Sequence, residues 1–166
     1  SVSVSLDGLE ATHDRLRALD GSYAAALRAL AHLGEAGIPV SVNTQINRWT
    51  WRDLPALLDV LIERRAHGWQ LALTVPMGRA ADRPELLLQP YELLEVFPLL
   101  AGLQPRAEAA GVRIFPGNNV GYFGPYEELL RQRMPGQHAG SCGAGRSVLG
   151  LEADGTLKGC PSLHTN

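Results

Sequence analysis

Polar and apolar residues alternate from the first position. Ser1-Val2-Ser3-Val4-Ser5-Leu6 runs into Asp7-Gly8, which predicts a half-buried strand ended by a turn. A helix is expected over residues 20 to 36, with Asp20 or Ser22 as N-cap, a stripe at Leu27, Leu30 and Leu33, and Gly37 as its stop. The β-rich run from Ile38 to Ile46 reads as a second strand. Thr50 and Asp53, spaced like a capping box, precede a helix that places Leu54, Leu57, Leu58, Leu61 and Ile62 on one face and is closed by Gly68. Trp69 to Val75 is a third strand, followed by the loop Pro76-Met77-Gly78-Arg79. Residues 90 to 110 are again helical in pattern, with a break or kink expected at Pro98 and Pro105, and Val112 to Phe115 is a short fourth strand.

Alternation of strand and helix predicts an α/β fold with right-handed crossovers and a parallel sheet whose ligand sites lie at the C-terminal strand ends. The loops that follow strands are therefore where chemistry is expected: Asp7-Gly8, Asn47-Arg48, Pro76 to Arg79 and Pro116 to Asn119. Beyond residue 115 the pattern changes to a glycine-rich link and a short helix that Pro125 is expected to open. Arg146 to Glu152 and Thr156 to Cys160 then flank Asp154-Gly155, a hairpin signal.

The chain has 166 residues, 45% hydrophobic and 19% charged, which suits one folded domain and excludes disorder. A net charge of −2 provides no global field for nucleic acid or an anionic membrane. No uninterrupted apolar run approaches the roughly 20 residues of a spanning helix, so the expectation is a cytoplasmic protein without nucleic-acid or membrane partners. The five histidines, at 13, 32, 67, 138 and 164, show no metal-type pairing and read as surface or supporting residues. Cys142 and Cys160 bracket the hairpin. They read as one disulfide, as inert thiols, or as half of a metal site for zinc or an iron–sulfur cluster.

Cys142-Gly-Ala-Gly with Leu149-Gly-Leu-Glu-Ala-Asp-Gly-Thr-Leu-Lys-Gly-Cys-Pro-Ser resembles the start of a SPASM domain, the cluster-binding C-terminal extension of many radical SAM enzymes. Val4-Ser-Leu-Asp-Gly8, with His13-Asp14 and Gly21-Ser22-Tyr23, resembles the fourth-strand region of the radical SAM partial (β/α) barrel. Asn43-Thr44-Gln-Ile46 is similar to its fifth strand and Val75-Pro-Met-Gly-Arg79-Ala to its sixth. The resemblance implies an enzyme that reductively cleaves S-adenosylmethionine to a 5′-deoxyadenosyl radical and modifies a peptide, protein or small molecule. It implies [4Fe–4S] clusters and an electron donor such as flavodoxin or ferredoxin. Ser5 and Asp7 would lie near the ribose and amino-acid part of S-adenosylmethionine, and Thr44 and Ile46 near its adenine or methionine moiety. Pro76, Met77 and Gly78 would present backbone to adenine, with Arg79 on substrate or carboxylate. Cys142 and Cys160 would hold an auxiliary cluster.

The family's three-cysteine motif for the catalytic cluster has no counterpart, because no cysteine precedes Cys142. The first three barrel strands and five later SPASM cysteines are likewise missing. The expected organisation is therefore a fragment: residues 1–115 from the barrel, 116–140 a linker with a short helix, and 141–166 the start of SPASM, inactive by itself. Such a piece is expected to expose an unpaired strand edge and apolar inner-face surface. The alternative from another class is a noncatalytic zinc-binding α/β module built on Cys142 and Cys160.

Overall fold

The computed structural model describes residues 1–117, 120, 124–132 and 144–160. Four parallel strands, β1 (Val2–Ser5), β2 (Val40–Ile46), β3 (Gly68–Leu73) and β4 (Arg113–Pro116), lie in chain order, each paired with the next. Between them come helices α1 (Glu10–Arg17), α2 (Ser22–Glu35), α3 (Leu54–Glu63) and α4 (Leu93–Ala109). Sequential parallel order is the signature of a barrel wall wound in one direction. The α/β parallel architecture expected from the pattern is the one observed, and its incompleteness as a barrel agrees with the partial-barrel reading.

Strand alternation divides the sheet into two unlike faces. Val42, Trp69 and Ile114 stand in one register row and are buried toward the helices with Val40, Ile46 and Leu71. Leu54, Leu57, Leu58 and Leu61 of α3 cover them, all fully buried, each stabilising by about 1.5–3 kcal/mol. The opposite face carries the row Ser5, Asn43, Gln70 and Phe115, and below it Ser3, Ser41, Gly68 and Arg113. Only Phe115 among these is a large apolar side chain, so the inner face is polar rather than apolar as expected. The cause is the serine-first alternation of β1 continued by Ser41, Asn43 and Gln45.

Two further expectations change. Helix α1 was not anticipated: its eight residues carry a weak apolar pattern, and it is set by tertiary hydrogen bonds described below. Helix α4 runs unbroken through Pro98 and Pro105. Both prolines are on its solvent side, where water can take up freed carbonyls, while Val96, Phe97, Leu100, Leu103 and Ala107 are buried on the other. The stretch Pro84–Ala109 is apolar enough by length and composition to cross a membrane. It is nevertheless interrupted by short 3-10 turns at Pro84–Leu86 and Pro90–Glu92 before α4 begins.

Helix α5 (Glu127–Arg131) starts two residues later than Pro125 was expected to open it. Strands β5 (Gly150–Leu151) and β6 (Leu157–Lys158) form the antiparallel hairpin, with Gly155 at φ +90° in its turn. Asp154 accepts the Thr156 N–H at 2.9 Å, and hydrogen bonding from the Thr156 backbone and side chain holds its carboxyl below the usual aspartate range.

Candidate functional site

A cleft of about 520 Å³ opens at the C-terminal ends of β1, β2 and β3. Its size is that of a small-molecule site. Ser5 lines it from β1 and Asp7 from just beyond, Asn43 and Gln45 from β2, and Thr74, Val75, Met77 and Arg79 from the loop after β3. The sequence segments near residues 5 and 77 therefore converge, as parallel strands with short following loops require. Ser5 is exposed, and its hydroxyl makes no hydrogen bond among the described residues. Gly78 has φ +55°, with open space where a Cβ would stand. Pro76 is exposed beside the lining, and neither it nor Gly78 forms part of it.

Asp7 is a framework residue at the cleft's floor. One carboxylate oxygen accepts the Gln45 N–H at 2.8 Å, and the other receives Arg17 Nε at 2.7 Å and an Arg17 Nη at 2.6 Å. Its own N–H donates to His13 Nδ1 at 3.0 Å. That bond requires Nδ1 to be unprotonated, and burial, partly opposed by the nearby Asp7 charge, pushes the His13 pKa below its ordinary value. Asp7 thus ties β1, α1 and β2 together. Asp53 adds a second tie by accepting the Leu9 N–H at 3.0 Å.

Thr44 and Ile46 do not line the cleft. Both are buried on the helix side. Thr44 Oγ1 donates to the Leu6 carbonyl at 2.6 Å and accepts the indole N–H of Trp69 at 2.8 Å. The period of two puts Asn43 and Gln45 on one face and Thr44 and Ile46 on the other, and the folded sheet turns the first pair to the cleft. Asn47 is also structural. Its side-chain oxygen accepts the Trp49 N–H at 2.9 Å, and its amide donates to Thr74 Oγ1 at 3.2 Å. Arg48 is held by Glu92 at 2.8 Å, tying the loops after β2 and β3.

Of the cleft's basic wall the sequence reading named Arg79 alone. Arg15 and Arg17 come from α1, and Arg79 and Arg83 from the loop after β3. The Arg15 guanidinium lies 3.6 Å from the centre of the Trp49 ring, and that of Arg83 lies 5.1 Å from it. For Arg15, Arg17 and Arg83 the available signal was the adjacency of Trp49 to the Asn47-Arg48 loop.

Cys160 is half-buried at the end of the hairpin, while Cys142 and the Asn118-Asn119 pair lie outside the described residues. The Gly145 N–H, three residues after Cys142, reaches both the Val148 and the Gly159 carbonyls at 3.0 Å. Among the described residues no group of three or more His, Cys, Asp or Glu side chains is gathered as a metal site.

No family model matches the chain. It is 44% identical over 64 residues to an Fe-coproporphyrin III synthase of Methanosarcina barkeri, which is 39% of this chain and 16% of that protein. It is 30% identical over 95 residues to an AdoMet-dependent heme synthase of Nitratidesulfovibrio vulgaris, 57% of this chain and 26% of the relative. A sporulation killing factor maturation protein, SkfB of Bacillus subtilis, is 30% identical over 82 residues, 49% of this chain and 20% of that protein. The matches span about a sixth to a quarter of the length of these curated relatives. In three dimensions the chain is similar to Streptococcus suis SuiB bound to S-adenosylmethionine, with a TM-score of 0.64 at 12% identity over 96% of this chain and 36% of that one. The sequence relatives are radical SAM enzymes, and the structural likeness shows the same fold. The radical SAM resemblance read from the strand motifs is thereby borne out.

Proposed function

We propose that this chain forms the S-adenosylmethionine-facing wall of a radical SAM enzyme and begins its SPASM extension. The observation that carries the reading is the convergence of Ser5, Asn43 and Gln45 with the loop from Val75 to Arg79 on one cleft at the strand ends. The donor set suits the cofactor. Ser5, Asn43, Gln45 and Thr74 offer hydroxyls and amides for a ribose and an amino-acid group, and Val75 and Met77 offer apolar surface for a base. Once bound, S-adenosylmethionine would supply the radical chemistry together with an iron–sulfur cluster, for which the described residues gather no ligand set. The residues here bind and orient it, and Asp7 keeps the strand ends in register beneath it. The substrate is a peptide or a small molecule, and an external electron donor such as flavodoxin or ferredoxin is required.

Within this reading residues 1–115 belong to the barrel, 116–140 link it onward, and 141–166 open the SPASM domain. Cys142 and Cys160 supply two thiolates to an auxiliary cluster. The Gly145 hydrogen bond to Gly159 supports it by holding the backbone just after Cys142 against the residue before Cys160.

The test is titration of S-adenosylmethionine into the holoenzyme by calorimetry. Ser5→Ala is expected to weaken binding by about 1 kcal/mol, the worth of one hydrogen bond. Unchanged affinity removes Ser5 from the site, and no binding by the wild type removes the reading. Alanine at Cys142 or Cys160 is expected to lower iron and sulfide content while S-adenosylmethionine affinity stays the same. Stoichiometric zinc without sulfide would instead establish a noncatalytic zinc module.

A further inference from the structure

The chain as a whole is slightly acidic, yet its cleft is lined by Arg15, Arg17, Arg79 and Arg83 against one carboxylate, that of Asp7. Arg17 is spent on Asp7, and Arg83 pairs with Glu85 on the rim. Arg15 and Arg79 have no carboxylate within salt-bridge distance among the described residues. Arg15 lies instead against the Trp49 ring, which orients a guanidinium through its face and leaves its N–H edges for another partner.

S-adenosylmethionine does not account for this excess of positive charge. It carries a sulfonium and an ammonium against a single carboxylate, so by itself it calls for one guanidinium at most. Clustered like charges in a concave site raise the local potential and concentrate ligands of opposite sign. Guanidinium groups match carboxylates in geometry, with two parallel N–H donors to two oxygens.

We propose that the Arg15–Trp49–Arg83 wall, with Arg79 from the loop after β3, recognises a co-substrate carrying several carboxylates. This rests on the reading of the cleft as the S-adenosylmethionine site and adds the chemical class of the second ligand. The wall comes from α1 and from the loops after β2 and β3, so it forms only when three separate chain segments meet.

Two carboxylate probes test it by calorimetry on the holoenzyme in the presence of S-adenosylmethionine: tricarballylate, a small polycarboxylate, and hexaglutamate, an acidic peptide. Their uncharged counterparts are tricarballylamide and hexaglutamine. At least one acid is expected to bind and its amide not, with affinity falling as salt is added. Which acid binds distinguishes a small-molecule source of the carboxylates from a peptide source. Arg15→Gln is expected to weaken the acid about tenfold, as loss of a charge-assisted bond does, and Arg15→Lys to restore part of that loss. S-adenosylmethionine affinity is expected to stay within about twofold in both variants, and their melting temperatures to match the wild type. Failure of both acids to bind while S-adenosylmethionine binds overturns this inference and leaves the cofactor site standing. Equal binding of acid and amide overturns it too, as does a loss confined to S-adenosylmethionine. Absence of S-adenosylmethionine binding in the wild type refutes the earlier reading instead.

Discussion

At the scale of single residues, the structure depends on close contacts beneath the cleft. A Cβ built on Gly8 would stand 2.8 Å from an Asp53 carboxylate oxygen and 3.1 Å from Thr12. The same Asp53 oxygen accepts the Leu9 N–H, so it cannot retreat without losing that bond. Gly8→Ala is therefore expected to destabilise by about 1–3 kcal/mol, read as a lower urea midpoint at unchanged slope. His13 provides a pH test. Its folded pKa lies below the ordinary 6.5, because burial disfavours the charged ring. Protons then bind the unfolded chain more readily than the folded one, so stability is full above about pH 6.5 and is lost as the pH falls through the folded value. Urea melts at pH 7.5 and 5.5 should show this loss in the wild type and a smaller one in His13→Gln. An equal loss in both would place the titrating group elsewhere. The role of Asp7 at this scale was only half legible: Asp-Gly announces a turn, whereas the Arg17, Gln45 and His13 partners come from elements the turn itself does not specify.

At the scale of elements, hydrogen bonds between elements decide positions that local pattern leaves open. Asp14 in α1 accepts from the Gly21 N–H, the Ser22 hydroxyl and the Tyr23 N–H, all at 2.7 Å, and so caps α2 from outside it. Neither Asp20 nor Ser22 takes the N-cap place; Gly21 does, with φ +77°. These bonds, that of Tyr23 foremost, lower the Asp14 pKa. Asp14→Ala is expected to lower the thermal midpoint and to raise amide exchange at Tyr23, while equal exchange would make the cap dispensable. Thr44 joins three strands at once. Thr44→Val keeps the shape and removes the hydroxyl, leaving the buried Trp69 N–H and Leu6 carbonyl each short of a partner. The expected cost is about 1–3 kcal/mol per unsatisfied group, visible in denaturant melts, and a cost near zero would mean that both groups find other partners. The strong apolar stripe made α3 legible, whereas α1 has no such stripe and exists through its ties to Asp7 and α2.

For the whole molecule, the two faces of the sheet and its two outer strands set the behaviour. Among the described residues β1 and β4 are each paired on one side only. Since the inner face is polar, association at high concentration is expected to proceed by edge pairing rather than by apolar contact. Val2 and Leu6 direct their N–H groups to β2, so Ser3 directs its own outward. Ser3→Pro removes that donor, and sedimentation should show less association than the wild type. Equal association in both would move the interface away from β1. The sequence by itself determined the parallel α/β class, the four strands, the leucine face of α3 and the Asp154-Gly155 hairpin, because these follow from periodicity and turn chemistry within a few neighbours. It also carried the convergence of residues 5 and 77, since parallel strands bring their following loops to one end. Only the tertiary structure decided which alternate residues of β2 face the cleft, that Asp7 belongs to the framework, and that scattered arginines join Trp49 in one wall. Each of these depends on which segments meet across the sheet, and side chains far apart in the chain interact only once folding has brought them within hydrogen-bonding or charge range.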